Sequence, residues 1–244
     1  MPGDAPHLSV VIPAYNEGLR LPTMLETAMP YLRGCGYRIE LVVVDDGSHD
    51  GTGEAARLFD GTGLAIRVLR NERNQGKGFS VRRGVLESRG RYIVFCDADG
   101  STSLTTLDAY WPAVQAGARV VIGSRHLPAS RIVRAQPWTR RQMSGTFRWL
   151  GNRILVHPVS DIMCGFKLFD AEAAQAIFSR LRLTQWAFDA ELLFIAQHLG
   201  FRIAEVPVIW TNDDRSRVRL SVDSWQAFAG LIRIRLNAAR GCYR

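Results

Sequence analysis

The sequence contains no apolar run long enough to cross a bilayer, which takes roughly 20 consecutive apolar residues in a helix. Its longest apolar runs, LSVVIPAY and YIVFC, are far shorter. Residues 1–7 also lack the basic and then apolar layout of a signal peptide. No linker rich in Ser, Gly or Pro interrupts the 244 residues. We therefore expect one domain over residues 1–244 that is soluble or peripheral on a surface.

Three common site motifs are absent as well. The four cysteines are widely spaced with no CxxC pair, which argues against a zinc site or a disulfide framework and favours reduced cytosolic thiols. The pattern GxxxxGK[ST] does not occur, and no GxGxxG follows the first predicted strand. The sequence therefore excludes the two commonest nucleotide-binding loops.

Acidic residues are missing from residues 109–160, although that segment contains eight arginines. Residues 1–108 carry a net charge of −2, whereas residues 109–244 carry +10. A long acid-free arginine segment suits a phosphate-bearing partner: a nucleotide, a nucleic acid or an anionic membrane. The segment has few interleaved aromatic side chains for stacking on bases, and this argues against nucleic acid.

Short β-rich runs alternate with helical patterns along the first half of the chain. The predicted strands are 8–14, 38–46, 65–71, 91–97 and 118–124, and the predicted helices are 22–32, 51–59, 77–88 and 104–116. Continuously apolar strands alternating with helices predict an α/β fold with a mainly parallel central sheet covered on both faces. Ligands bind such sheets at the carboxyl ends of the strands.

Polar residues follow four of these strands. They are Pro13 to Glu17, Asp45 and Asp46, Asp97 to Asp99, and Gly123 to Arg125. Because the carboxyl ends of parallel strands meet at one edge, we expect these residues to form one site there. Asp45 and Asp46 suit either hydrogen bonds to a nucleoside or a turn that ends the strand.

Asp97 and Asp99 are two positions apart at a strand end, so their side chains point to the same side. Two such carboxylates repel each other unless a cation lies between them. Oxygen ligands of this kind suit Mg²⁺ or Mn²⁺. The segment 74–78, NQGKG, adds two glycines and Lys77 before a helix, and we expect it to approach an anionic ligand closely.

The order of these motifs resembles glycosyltransferase family 2, the inverting enzymes of GT-A fold. The motifs are PAYNE (13–17), VVVDDGS (42–48), NQGKG (74–78), DADG (97–100), GSR (123–125), DIMCGFKLF (161–169), WAFDAELLFIAQ (186–197) and IAEVPVIW (203–210). The later motifs look like those of the dolichyl-phosphate glucose and mannose synthase subgroup, and their sequences are most similar to its glucosyltransferase branch.

The resemblance implies transfer of a sugar from a nucleotide diphosphate to a polyprenyl phosphate, with residues 1–124 binding the donor and 125–244 facing the acceptor. It assigns the nucleotide sugar to Pro13, Tyr15, Glu17, Asp45, Asp46, Lys77, Asp97, Ala98 and Asp99. It assigns the metal to Asp97 and Asp99. In the mannosyl branch a glutamine commonly follows two residues after the second aspartate, and here that position is Ser101.

The resemblance also implies the catalytic and acceptor residues. Asp99, Arg125 and Asp161 match catalytic positions, and for Asp161 both sugar positioning and weak base work stay open. Arg140 and Ser144 match an acceptor-phosphate pattern, R-x-x-x-S, whose members share a helix face, and Arg141 competes with Arg140 for that role.

Two basic amphipathic segments, 139–158 and 222–240, are candidates for contact with an anionic leaflet. In the second segment the apolar stripe is Trp225, Phe228, Ala229, Ile232 and Leu236. The alternative is that both stripes pack on the domain itself or on a subunit partner. A small membrane partner or a homo-oligomer is compatible with either arrangement.

We therefore predict a cytoplasmic glycosyltransferase, peripheral on the inner face of the membrane, which moves glucose from UDP-glucose to a polyprenyl phosphate. A GDP-mannose-dependent mannosyltransferase is the nearest alternative, and a family 2 transferase with a soluble or glycan acceptor is a further one. The non-enzyme alternative is a module that binds nucleotide sugars or nucleic acid.

Overall fold

The computed structural model describes residues 5–61, 63–135, 138–155, 157–213 and 220–244, without the side chains of 139–141 and 220–225. The strands are β1 Leu8–Ala14, β2 Ile39–Asp45, β3 Ala65–Arg70, β4 Tyr92–Cys96, β5 Val120–Ser124, β6 Arg131–Arg134, β7 Phe166–Asp170, β8 Ile203–Pro207 and β9 Ile209–Thr211. The helices are α1 Arg20–Gly34, α2 Thr52–Arg57, α3 Lys77–Leu86, α4 Trp111–Gln115, α5 Trp138–Ile154, α6 Ala171–Arg180, α7 Phe188–His198 and α8 Leu220–Ala239.

Seven strands form one sheet in the order β3-β2-β1-β4-β7-β5-β8. All neighbouring pairs are parallel except those of β7, which runs antiparallel to β4 on one side and to β5 on the other. The predicted α/β fold with a mainly parallel sheet is confirmed. Because β4 and β5 still point the same way, the ends of β1, β2, β4 and β5 meet at one edge.

Each face of the sheet buries its own apolar layer. On one face, side chains of α1 and of the segment around Tyr110 cover the sheet. On the other face, α3, α6 and α7 pack on the sheet, and α5 and α8 join the outer part of that layer. Two covered faces explain why strands β1, β2 and β5 are mostly apolar and are buried along almost their whole length.

Strands β6 and β9 form a separate two-stranded ribbon outside the main sheet. The ribbon is tied to the segment after β4, because the N–H of Thr211 donates to the carbonyl of Ser101 at 2.9 Å, and Thr102 forms a bridge with Trp210. It therefore lies beside the carboxyl edge of the sheet.

Two details differ from the sequence prediction. The predicted helix 104–116 is a 3₁₀ turn, Leu104–Ala109, followed by α4. The break falls at Tyr110, which is fully buried and whose hydroxyl donates to the carbonyl of Phe166 at 2.9 Å. Strands β6 to β9 were not predicted, because they are short and their sequences mix apolar and charged residues. Within the described ranges, no helix combines the length and apolarity needed to span a membrane.

Candidate active site

The loops after β1 and β2 are fastened to each other. The N–H of Asn16 donates to Ser48 Oγ at 2.9 Å, and the N–H of Glu17 donates to Thr52 Oγ1 at 2.8 Å. Asn16 has a φ of 53°, which lets its side chain accept from the N–H of His49 at 2.9 Å. These bonds hold the PAYNE and DDGS segments together as one rim.

Asp45 and Asp46 are both buried beneath this rim. Asp45 accepts from the N–H of Ser48 at 2.9 Å and from Arg70 Nη1 at 3.0 Å. Asp46 accepts from Asn71 Nδ2 at 2.6 Å and from two backbone N–H groups of the β3–α3 loop, at Gln75 and Gly76. Both carboxylates hold loops in place, and their nucleoside-binding role stays a prediction.

The two glycines of the NQGKG segment pack against protein. A Cβ at Gly76 would lie 2.5 Å from the carbonyl oxygen of Thr184, and one at Gly78 would lie 2.7 Å from that of Leu183. Gly76 also has a φ of 102°, a conformation that side chains disfavour. We expected the backbone at these glycines to lie close to a ligand. In the structure it lies close to the segment before α7.

Lys77, which begins α3, reaches the first metal-site aspartate. Its Nζ lies 2.5 Å from Asp97 Oδ1, and it lies over the rings of Trp186 and Phe188 at 5.6 and 5.9 Å from their centroids. Burial lowers the pKa of Lys77, but the charges of Asp97 and Asp189 and the hydrogen bond to Asp97 together outweigh burial and leave the pKa raised. The ammonium group is charged and aimed at the carboxyl edge of β4.

The second aspartate, Asp99, is half-buried like Asp97. Burial raises its pKa, and the neighbouring charge of Asp97 raises it further. One of its oxygens accepts from the N–H of Ser101 at 2.9 Å. Arg20 contributes positive charge nearby and is held by a two-point ion pair with Glu17. Glu17 thus contacts the site through Arg20.

Arg125 and Asp161 form a two-point ion pair at the end of β5. Arg125 donates through Nε to Oδ2 at 2.7 Å and through Nη2 to Oδ1 at 2.9 Å, and its backbone N–H also donates to Oδ2. The guanidinium lies over Trp210, 5.4 Å from the ring centroid. Burial raises the pKa of Asp161, but Arg125 more than reverses this and leaves the pKa lowered. Asp161 is a buried, ionised carboxylate whose two oxygens are both bonded.

Lys167 on β7 is fully buried behind the site. Its Nζ lies 2.5 Å from Asp189 Oδ1 and 2.5 Å from the carbonyl oxygen of Cys164. Burial raises the pKa of Asp189, whereas Lys167 and then Lys77 oppose that increase. The charges therefore alternate from the sheet interior to the site, in the order Lys167, Asp189, Lys77 and Asp97.

The other predicted site residues are placed as follows. Pro13 is half-buried, Tyr15 is 38 % exposed at the end of β1, and Ala98 is buried between the two aspartates. Ser144 is half-buried on α5. The side chains of Arg140 and Arg141 lie outside the described part of the chain, so their acceptor role stays a prediction.

Sequence reasoning missed Arg20, Lys167 and Trp210. A lysine inside the otherwise apolar strand FKLF was a signal, because an isolated buried lysine requires an acidic partner. Arg20 and Trp210 gave no such signal, since arginine is abundant in the chain and tryptophan also occurs in ordinary cores. Their proximity to Asp99 and Arg125 depends on tertiary packing.

A mainly parallel sheet with two aspartates and two basic groups at its carboxyl edge has the GT-A arrangement of an α/β protein. The glycosyl transferase family 2 model matches residues 9–178, and the chain belongs to that family.

Similar curated proteins share most of the chain. A dolichyl-phosphate beta-glucosyltransferase of Dictyostelium discoideum is 36 % identical over 255 residues, which cover 100 % of this chain and 78 % of that protein. The mouse protein of the same name is 39 % identical, covering 97 % and 77 %. Among solved structures, a glucosyl-3-phosphoglycerate synthase from Mycobacterium tuberculosis, in complex with Mn²⁺, UDP-glucose and phosphoglyceric acid, has a TM-score of 0.69 at 19 % identity. That alignment covers 94 % of this chain and 79 % of the other, and it supports the fold alone.

Proposed function

We propose that this protein transfers glucose from UDP-glucose to a polyprenyl phosphate and produces a β-linked polyprenyl-phosphate glucose. The observation that carries the proposal is the arrangement at the carboxyl edge of the sheet, where Asp97, Asp99, Lys77 and Arg125 converge. The glucosyl donor and the lipid phosphate acceptor are supported by the names of the similar proteins, at 36 % and 39 % identity.

Asp97 and Asp99 fit a divalent cation, Mg²⁺ or Mn²⁺. Burial and the charge of Asp97 raise the pKa of Asp99, and nearby cations such as Lys77 and Arg20 offset the repulsion between the two carboxylates only in part. Within the described ranges, no group of three or more His, Cys, Asp or Glu side chains is arranged to hold a metal ion. Two protein ligands are enough when a substrate diphosphate supplies others. When bound, such an ion would stabilise negative charge on the diphosphate.

Lys77 supplies positive charge to the diphosphate from the protein itself. Its side chain is 17 % exposed, and Trp186 and Phe188 restrict the ammonium to the region of Asp97. In the proposed complex, this group contacts the diphosphate and favours the departure of UDP. Asp189, held by Lys167, keeps the lysine side chain oriented toward the site.

The acceptor phosphate is the nucleophile in the proposed reaction. One of its oxygens forms a bond to the anomeric carbon of glucose, while the bond from that carbon to the diphosphate oxygen breaks and UDP leaves with the electron pair. Attack from the opposite face inverts the configuration. Because a phosphate monoester has a second pKa of about 6, it is largely anionic at neutral pH and needs no strong base.

Asp161 acts as a positioning residue in this proposal. Both of its oxygens are bonded to Arg125, and its pKa is lowered, so it is a poor proton acceptor. It holds the planar guanidinium on Trp210 at the rim, where Arg125 can bind a phosphate in a bidentate manner. Of the two roles open for Asp161, positioning fits this geometry better.

We also propose that the chain works at the inner, cytoplasmic face of a membrane, where its acceptor is located. The stripe predicted on α8 is divided between two environments. Phe228 packs on Phe147 of α5 with ring centroids 5.9 Å apart, whereas Ile232 and Leu236 are 66 % and 49 % exposed. The domain buries a neighbouring stripe of α8 instead, which includes Leu231 and Ile234. The exposed stripe is available for a lipid surface or a protein partner.

The donor assignment is tested by calorimetry with UDP-glucose and GDP-mannose, each with and without Mn²⁺. We expect UDP-glucose to bind in a metal-dependent manner and GDP-mannose to bind at least about tenfold more weakly. Asp99→Ala should abolish the metal dependence, whereas Asp108→Ala, outside the site, serves as the matched control. Tighter binding of GDP-mannose would replace the glucosyl assignment with the mannosyl one.

The acceptor assignment is tested by transfer of labelled glucose to a short-chain polyprenyl phosphate that is soluble in water. Product formation with this lipid phosphate, and none with 3-phosphoglycerate, is the expected result. Equal or faster transfer to 3-phosphoglycerate would overturn the lipid acceptor and favour a soluble one.

A further inference from the structure

The β6–β9 ribbon exposes apolar side chains that nothing in the described structure covers. Ile132 is 41 % exposed, and Val133 and Ile209 are each 57 % exposed. We refer to these three residues as the ribbon patch, which wraps around the ribbon, because Ile132 pairs with Trp210 on one face and Ile209 pairs with Arg131 on the other. All four residues of β6 are exposed, so this strand has no buried face of its own. Short strands of this composition normally pack on a core, and exposed apolar clusters mark interaction surfaces.

The ribbon patch is rigidly linked to the candidate active site. Trp210 lies between Ile209 and Thr211 on β9, and it supports the guanidinium of Arg125. The ribbon is bonded to the main sheet through Thr211, whose N–H donates to the carbonyl of Ser101, two residues after Asp99. A partner that contacts the ribbon patch is therefore held next to the groups proposed to bind phosphates.

The charge around the ribbon patch identifies the partner. Neither strand of the ribbon contains an acid, and β6 has an arginine at each end, Arg131 and Arg134. Strand β6 belongs to the segment 109–160, which contains eight arginines and no acid, and two of these arginines, Arg119 and Arg125, are paired with carboxylates. Trp138, four residues after β6, is 74 % exposed. Aliphatic residues flanked by arginine and tryptophan match a bilayer with anionic headgroups, because apolar side chains enter the acyl boundary while the cations remain at the headgroups.

We propose that the ribbon patch inserts into an anionic lipid bilayer and orients the active site toward the membrane surface. This inference rests on the proposed function and extends it, because it assigns membrane contact to a β-ribbon in addition to the two C-terminal amphipathic segments. Side chains on a short ribbon enter the boundary region only, which suits a reaction at a headgroup phosphate.

The test is co-sedimentation of the full chain with vesicles of phosphatidylglycerol and phosphatidylcholine. In one variant, Ile132→Ser, Val133→Ser and Ile209→Ser are combined. We expect its vesicle affinity to fall at least about tenfold, since the variant removes three aliphatic side chains from the proposed lipid contact. The matched control combines Leu19→Ser and Leu58→Ser, which are 86 % and 81 % exposed and lie in the other half of the chain. It should bind vesicles like the native protein.

A second variant, Val133→Trp, makes the test independent of any loss of folding. Tryptophan favours the membrane interface, so vesicle affinity should rise severalfold. Unchanged vesicle binding in both ribbon variants would overturn the proposal. Dissociation of a dimer by the triple variant, with vesicle binding intact, would also overturn it, since the ribbon patch would then cover a second copy of the chain.

Transfer to the water-soluble short-chain acceptor separates this proposal from the proposed function. The triple variant should retain native transfer to that acceptor while losing binding to vesicles. If the native protein binds vesicles through the ribbon patch but transfers no glucose, the proposed function fails and the membrane surface stands. If the native protein transfers glucose and the ribbon variants bind vesicles normally, the membrane role of the ribbon patch fails and the proposed function stands.

Discussion

Asp161 combines deep burial with a lowered pKa, and it therefore links the stability of the protein to pH. The carboxyl group has an ordinary pKa of 3.8, and Arg125 lowers it in the folded state. A group with a lowered folded pKa stabilises the protein above its unfolded pKa, and this contribution is lost as the pH falls through the folded value. The Asp161–Arg125 pair should thus stabilise the fold fully above about pH 5.

We predict that Asp161→Asn lowers the free energy of unfolding at pH 7 and flattens its decline below about pH 4. Urea unfolding of the native protein and the variant between pH 3 and pH 7 measures both effects. Asp60→Asn, an exposed carboxyl group far from Arg125, is the control and should leave the pH dependence unchanged. Parallel curves for the native protein and Asp161→Asn would contradict the prediction.

Lys167 is the second residue whose removal should have a large effect. Lys167→Met leaves Asp189 buried with only its more distant cation, Lys77, and breaking a buried ion pair from one side costs about 3–5 kcal/mol. We expect a loss of this size in chemical unfolding. Adding Asp189→Leu to Lys167→Met should restore much of the stability, because the unpaired carboxylate is then absent. A single variant within about 1 kcal/mol of the native protein would refute this assignment.

At the scale of the element, the first residue of helix α3, Lys77, has a glycine on each side because the segment before α7 packs directly on the start of the helix. A Cβ at Gly78 would lie 2.7 Å from both the carbonyl oxygen of Leu183 and the Cβ of Phe188. Gly145, inside α5, has nothing within 4 Å of such an atom. A side chain at Gly78 would therefore collide with packed atoms, whereas a side chain at Gly145 would meet open space.

We predict that Gly78→Ala destabilises the protein by about 1–3 kcal/mol through overpacking. Gly145→Ala should stabilise it by about 0.5–1 kcal/mol, because alanine is the better helix former. Midpoints of urea unfolding with unchanged slopes test both values. A stabilising Gly78→Ala would mean that the segment around Leu183 moves aside easily.

Much of the architecture was predictable from local pattern. Strands β1, β2 and β4 are mostly apolar and are followed by polar residues, so their approximate bounds and their shared edge follow from the sequence. β7 was not predictable as a strand between β4 and β5, because 41 residues separate it from β5 and its register is decided by packing. At the site, the proximity of Lys77 to Asp97 depends on the β3–α3 loop. Asp46 shapes that loop by accepting hydrogen bonds from two of its backbone N–H groups. In the sequence, Asp46 suited hydrogen bonds to a nucleoside as well as it suited a turn.

At the scale of the whole molecule, the two halves of the chain differ in charge by twelve, from −2 to +10. The excess of arginine lies in the half that contains the ribbon patch and α5. Attraction of this kind to an anionic leaflet is long-ranged at low salt and is screened as the Debye length falls from about 10 Å at 0.1 M to about 3 Å at 1 M. Membrane contact should therefore combine an electrostatic part with an apolar part.

We predict that raising NaCl from 50 mM to 500 mM weakens binding to vesicles with phosphatidylglycerol by about tenfold or more, since each arginine near the surface contributes about 1 kcal/mol at physiological salt. Vesicle co-sedimentation measures this, with vesicles of phosphatidylcholine alone as the control. Binding to the control vesicles should be weak and nearly independent of salt. Equal affinity for the two kinds of vesicle would contradict an electrostatic contribution.

The position of β7 has a consequence for synthesis on the ribosome. β7 pairs with β4 and with β5, yet it emerges after both. Until residues 166–170 appear, the edge of β4 remains open, and at about 5–20 residues per second this interval lasts about 4–15 s. An apolar strand with an open edge can pair with other chains during that time. The nascent protein should therefore depend on chaperones until β7 is in place, and a chain that stops at residue 124 should aggregate rather than fold as a donor-binding unit.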